Sequence, residues 1–168
     1  FDGTLYGNPV WDPNGRVDGA LKFDGDGDYV KITGWRGIAG ANSRTVCAWI
    51  KTDSTTVGEI ISWGGDADGE RWLLMLKASG ELRLAVVSGS VNGTKQINDG
   101  FWHHVAAVLP VGALDVSDVK LYVDGIEEST TSTSQAINTA GVYDVKIGVF
   151  GSSLRYFNGL IDEVRIYN

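Results

Sequence analysis

Short stretches of alternating apolar and polar residues recur along the chain, each closed by turn formers: ALKF, YVKI, TVCAWIK, EIISW, RWLLMLK, ELRLAVV, HHVAAVL, VKLYVDG, VKIGVF and EVRIYN. A period of two is the mark of a strand with one face in a core and the other in water. Val119, Leu121 and Val123 share one face, opposite Lys120 and Tyr122. Val145, Ile147 and Val149 alternate with Lys146 and Gly148, and Val164 and Ile166 with Arg165 and Tyr167. Helical spacing is hard to find anywhere. Ala78-Ser79-Gly80 and Asp124-Gly125 read as hairpin turns. The pattern predicts an all-β chain folded as an antiparallel β-sandwich of two sheets, of jelly-roll type, in a single domain over residues 1–168.

Composition narrows the function classes. The 168 residues include 23 Gly against 3 Pro with no fixed period, so the glycines read as turns between many short elements. A net charge of −7 argues against a nucleic-acid or anionic-membrane partner, both of which want a basic face. No apolar run is long enough for a helical span, so no membrane insertion is expected. Phe1 reads as the start of an excised or processed domain. A lone Cys47 leaves no internal disulfide and no cysteine zinc site, and His103 and His104 are too few for a histidine metal cluster.

The phrases GRVDGALKFDGDGDYVKI, TVCAWIKT, DGFWHHVAAV, VKLYVDG and FNGLIDEVRIYN, in this order and spacing, resemble the laminin G-like domains of the concanavalin A-like jelly-roll superfamily over roughly residues 15–168. The resemblance implies a two-sheet jelly roll, extracellular or at the cell surface, often one module of a longer protein. It implies binding of glycans, or of protein partners in adhesion, and a calcium ion near the sandwich rim. Relatives usually open with a further strand before a GTL-like turn. Phe1 to Leu5 reads as that turn already, so the first strand is expected to be missing or supplied by another segment, with a sheet edge exposed or differently covered.

Candidate chemistry lies in two acidic stretches. In FDGDGDYVKI, an EF-hand loop counted from Asp24 would put Tyr29 and Trp35 where glycine and a bidentate carboxylate belong, so Asp26 and Asp28 read as turn residues. The resemblance instead brings Asp24 and Asp162 together as ligands of a structural calcium. The competing reading makes both acceptors for backbone N–H groups at strand ends. Asp66, Asp68 and Glu70 stand two apart, a spacing similar to the carboxylate strand of jelly-roll glucanases, but Gly64, Gly65 and Gly69 make this a loop. A catalytic pair must be held at a set separation, which a flexible loop does poorly.

Trp63 and Trp72 flank that loop. With Asp66, Asp68, Arg71 and, from a later loop, Tyr156, they form the candidate ligand-binding patch, indole stacking on sugar rings and charged groups bonding hydroxyls. The competing reading buries both tryptophans in the core. Trp49 and Trp102 read as packing residues. His103 and His104 read as one inward and one outward strand residue, without catalytic context. Asn92-Gly93-Thr94 reads as a glycosylation triplet in a turn. The expectation is a non-catalytic carbohydrate-binding module; a structural or cell-adhesion module with a protein partner is the alternative, and a glycan-cleaving enzyme a distant third.

Overall fold

The computed structural model describes residues 2–151 and 155–168. In chain order its strands are β1 (Thr4–Tyr6), β2 (Val10–Asp12), β3 (Ala20–Asp24), β4 (Tyr29–Ile32), β5 (Arg44–Lys51), β6 (Gly58–Gly64), β7 (Arg71–Leu76), β8 (Glu81–Val86), β9 (Gly89–Gln96), β10 (Trp102–Leu109), β11 (Lys120–Val123), β12 (Ile126–Glu127), β13 (Thr131–Thr133), β14 (Tyr143–Ile147) and β15 (Asn158–Tyr167). They pair antiparallel into two sheets. One has eight strands in the order β1-β4-β14-β6-β7-β8-β9-β13; the other has seven, β12-β11-β10-β5-β15-β3-β2. The expected two-sheet sandwich is what forms. No helix among the described residues is long and apolar enough to cross a membrane.

The period of two sets the layers. Along β5, Arg44, Val46, Ala48 and Ile50 are buried, while Thr45, Cys47, Trp49 and Lys51 take the outer face. Trp63, Trp72, Leu74, Leu82 and Leu84, all 0% exposed, meet them from the eight-stranded sheet. Each such side chain stabilises the fold by roughly 1.5–3 kcal/mol. β6 departs from alternation and is buried at every position. Its sheet is covered on the outside as well, where Leu73, Met75 and Phe150 form a second apolar cluster. Glu59 in β6 pins that cover from beneath: it accepts the Phe150 N–H and pairs with Arg155 at 2.8 Å.

The core also holds a cation. Arg44 is 2% exposed, and its guanidinium donates to the carbonyls of Asn42, Ile38 and Gly40 at 2.9, 2.7 and 2.6 Å and to the Thr139 hydroxyl at 3.0 Å. It lies 4.8 Å from the centre of the Trp72 ring. Burial pulls its pKa down to about 10, so it is still charged at neutral pH. The fork geometry of arginine suits this role, because several donors reach several carbonyls of one loop at once.

Two local readings change and a third holds. Phe1 to Leu5 is not simply a turn: Thr4–Tyr6 forms β1, paired Leu5 to Val30 and Tyr6 to Tyr29, whose rings stack at 4.7 Å. This short strand covers the edge of β4, so the open edge expected there is differently covered; Phe1 lies outside the described residues. β9 was not predicted, because GSVNGTKQ offers little apolar alternation. It is held between β8 and β13 by its ladder, and it places Asn92-Gly93-Thr94 on a strand rather than in a turn. In FDGDGDYVKI, Gly25 and Gly27 take φ of 85° and 84°, which an L side chain rarely adopts. Asp28, 1% exposed, accepts the N–H groups of Asn8 and Asp24 at 2.7 and 3.1 Å.

Asp115 plays a similar part at the 3-10 turn Val116–Asp118. Its carboxylate accepts the Ser117 N–H and hydroxyl, the Ser134 hydroxyl and the Gln135 N–H. Desolvation works to raise its pKa, and these hydrogen bonds outweigh it, taking the group down to about 2. The depressed pKa means a stabilisation fully present above the unfolded-state value of about 3.9 and lost as pH falls through the folded one. Asp115→Asn is therefore expected to melt below the parent at pH 7, with the gap closing between about pH 4 and pH 2. Thermal melts at those pH values measure it, and a constant gap would contradict the assignment.

Candidate functional site

The expected patch at residues 63–72 is divided by the sheet. Trp63 and Trp72 are both 0% exposed, and their rings stack in the core at 5.9 Å. The expectation that they face a ligand is corrected. They sit side by side on the inner face of β6 and β7, and Trp63 donates its Nε1–H to the Ile38 carbonyl at 3.1 Å. The loop residues stay outside and bond one another. Asp66 accepts from Arg71 at 2.8 Å and from the Tyr143 hydroxyl at 2.6 Å, and Asp68 accepts from Ser88. The Tyr143 hydroxyl, with Arg71, holds the Asp66 carboxyl below the usual range. Arg71 stacks on the Phe150 ring at 3.9 Å. Tyr156 is half-buried just before β15, in a different segment.

Asp24 and Asp162 do not meet as a calcium pair. In the β3–β15 ladder Asp24 lies opposite Asn158, whereas Asp162 lies beyond the Leu21–Ile161 pair. From Asn158 to Asp162 the strand advances about 13 Å. Asp24 accepts the Asp26 N–H at 2.7 Å. Asp162 accepts the Arg16 and Val17 N–H groups on one oxygen, at 2.8 and 2.9 Å, and the Glu163 N–H on the other, at 2.7 Å. Hard cations need six to eight oxygens around one point. Among the described residues no group of three or more His, Cys, Asp or Glu is placed to hold a metal. The donor set does not fit calcium, and these aspartates act as the backbone acceptors of the competing reading.

What Asp162 does hold is the segment that carries Arg16 over the outer face of the seven-stranded sheet. There the Arg16 guanidinium lies 4.5 Å from the centre of the Trp49 ring. His104 stands beside Trp49 in the β5–β10 ladder, with its ring edge-on at 5.3 Å. Cys47, Trp49, His104, Glu163, Arg165 and Tyr167, with Val17, line a hollow of about 340 Å³. A β-bulge between Asp162 and Arg165 adds one residue to β15, and Glu163 takes a φ of 49° there. Bulges re-aim side chains, and a non-glycine residue in this region is held by its surroundings at some cost.

The electrostatics of the hollow are simple. Arg165 is kept charged by the Tyr167 hydroxyl and by its ion pair with Glu163. Burial pushes the Cys47 thiol up, with Arg165 opposing, so it stays protonated and is no nucleophile at neutral pH. Among the described residues, neither the Arg16 guanidinium nor the His104 imidazole has a hydrogen-bond partner. The indole, with the Arg16 guanidinium over one face and the His104 ring beside it, joins an aromatic surface to two unengaged donors, a combination that can meet the C–H face of a sugar ring and bond its hydroxyls. A second hollow of about 400 Å³ opens between the sheets beside β2, lined by Trp11, Leu21, Phe23, Val30, Ile147 and Ile161 among others. Its wall is mostly apolar, the charged residues lining it are Asp18, Asp162 and Glu163, and no cationic side chain is among them.

A family model of the concanavalin A-like lectin/glucanases superfamily, of laminin G type, matches residues 24–168. The chain belongs to that superfamily. Within it, the sandwich is similar to domain 4 of an extracellular arabinanase from Geobacillus stearothermophilus, solved with arabinotriose: 22% identity, TM-score 0.71, covering 98% of this chain and 81% of that one. It is similar to the CBM40 of a Ruminococcus gnavus sialidase bound to α2,3 sialyllactose, at 16% identity and TM-score 0.69, over 88% of this chain and 89% of that one. It is also similar to domains LG4-5 of the mouse laminin α1 chain, at 21% identity and TM-score 0.62, over 88% of this chain and 40% of that one. At these identities the likeness is one of fold. A search of curated protein sequences gives no match.

This lectin/glucanase-type sandwich thus carries its candidate site on a face whose Trp49 the sequence assigns to packing. The signal was present: in TVCAWIK, Val46, Ala48 and Ile50 alternate inward, which sends Trp49 outward with Cys47 and Lys51. Arg16, Glu163 and Arg165 had no such signal, since a loop clamp and a bulge deliver them.

Proposed function

We propose that this domain is a non-catalytic carbohydrate-binding module of a larger extracellular or surface protein, and that it takes its glycan on the outer face of the seven-stranded sheet around Trp49. The observation that carries the reading is the half-buried Trp49 in a hollow of about 340 Å³, flanked by Arg16 and His104 without protein hydrogen-bond partners. The sugar-bound state of two structures sharing the fold supports the class of ligand. Binding rather than cleavage is supported by the carboxylates. Asp66 and Asp68 lie on a loop and are engaged by Tyr143, Arg71 and Ser88, and Glu163 is paired with Arg165.

The test is retention of the domain on gels or arrays of neutral and acidic polysaccharides, followed by titration with the retained glycan. Trp49→Ala is expected to weaken binding by about tenfold or more, the scale of losing one central aromatic contact. Its melting temperature should change little, because the ring is on the outer face. Retention by no polysaccharide, or binding indifferent to Trp49, would sink the reading. An adhesion module would use the exposed apolar edge at Leu5, Val10, Trp11 and Val17 instead; Trp11→Ser would then weaken the protein contact and spare any sugar binding.

A further inference from the structure

Around Trp49 the charge runs against that of the molecule. The chain as a whole carries −7, yet the hollow and its rim present Arg16, His104 and Arg165. Lys51 follows Trp49 on the same outward face of β5. The carboxylates facing this group are few and occupied. Glu163 is tied to Arg165. Asp162 is buried and gives its oxygens to the N–H groups of Arg16, Val17 and Glu163. Arg16 is thus left stacked on an indole, its guanidinium in no ion pair and no hydrogen bond among the described residues.

We infer that the ligand is an acidic sugar, one whose ring packs on the Trp49 side of the hollow while its anionic group is held by Arg16 with His104. This rests on the proposed glycan site and names its ligand class. A guanidinium offers two parallel N–H groups to a carboxylate or sulfate and binds such groups about twice as strongly as neutral hydroxyls. Stacking on Trp49 limits the positions open to the guanidinium, so less freedom is lost when the anion arrives. A neutral sugar would leave that charge unmatched. The acidic remainder of the surface would turn away anions that dock elsewhere, which favours this face over non-specific adsorption.

The experiment is calorimetric titration with three matched oligosaccharides, each at the same low and the same high salt concentration: a hexuronate trimer, a sulfated trimer and the neutral trimer made by carboxyl reduction. One of the anionic ligands is expected to bind at least about tenfold tighter than the neutral one, and the arm that does so identifies the anion. Arg16→Ala should bring that ligand down to about the level of the neutral one, which itself should weaken far less; Trp49→Ala should weaken all that bind. Arg16 is exposed, so loss of folding is not expected to intervene, and a melting curve verifies it. Equal affinity for acidic and neutral trimers, or an Arg16→Ala effect of the same size on both, overturns the acidic-sugar inference while the glycan site stands. Binding of an anionic trimer that survives Trp49→Ala and falls only with salt overturns it as mere charge attraction. Binding of none of the three, with no retention on polysaccharide gels, overturns the proposed function itself.

Discussion

An Arg44→Met variant is expected to melt roughly 10 °C below the parent. The substitution keeps much of the side-chain volume and removes a buried charge, which alone would favour it. The loss outweighs that gain, since the carbonyls of Ile38, Gly40 and Asn42 and the Thr139 hydroxyl all lose a donor inside the protein. Each buried group left without a partner costs about 1–3 kcal/mol. Partial rescue comes from bonds that remain: Trp63 still donates to Ile38, and the Thr139 N–H to Gly40. A net loss of about 3 kcal/mol translates, for a domain of this length, into the stated shift. Arg44→Lys should recover little, as one ammonium cannot reach the carbonyls of Ile38, Gly40 and Asn42 together. Thermal unfolding of the three proteins decides it; an Arg44→Met variant as stable as the parent would show that the loop closes without the guanidinium.

Asp162→Ala should be the second large effect, and it should act on stability and recognition together. Three N–H groups lose a charged acceptor, those of Arg16, Val17 and Glu163. Allowing for water to replace part of that, the expected loss is about 2–3 kcal/mol, or roughly 5–10 °C. Affinity for the glycan should drop as well, because the loop holding Arg16 against Trp49 is released. Asp162→Asn separates the two effects. Its amide oxygen can still take the Arg16 and Val17 N–H groups, while its NH₂ faces the Glu163 N–H, so stability falls but binding persists. Titration of both variants with the same ligand measures this, and unchanged affinity in Asp162→Ala would remove Asp162 as a positioning residue.

How far these features could be read from the sequence depends on what shaped each segment. Strands with one wet face announced themselves, as Val119–Val123 and TVCAWIK did. β6 hid its orientation because the cluster of Leu73, Met75 and Phe150 covers its sheet from outside, so neither face is polar. That is why alternation does not orient Trp63, whereas Trp72 falls on one face of β7 with Leu74 and Leu76. β1 is held by its ladder and the Tyr6–Tyr29 stack, and β9 by its ladders with Val91 as its one core side chain. The candidate site suffered most. Arg16 and Asp162 are 146 residues apart in sequence, and no local pattern reports a contact of that range. FDGDGDYVKI drew attention to metal binding, whereas its aspartates serve turns, Asp28 most of all.

β15 lies in the middle of the seven-stranded sheet, between β5 and β3, although it is the strand furthest along the chain. During synthesis, then, β3 and β5 wait with unsatisfied edges until almost all of the domain has left the ribosome. Contacts spanning such distances form slowly, because the intervening loop must close first. The same late strand brings Glu163, Arg165 and the Asp162 clamp to the face of Trp49. A nascent chain that has not yet threaded β15 into its slot has neither a finished sandwich nor the hollow around Trp49, so the proposed site cannot precede the closing of the sheet.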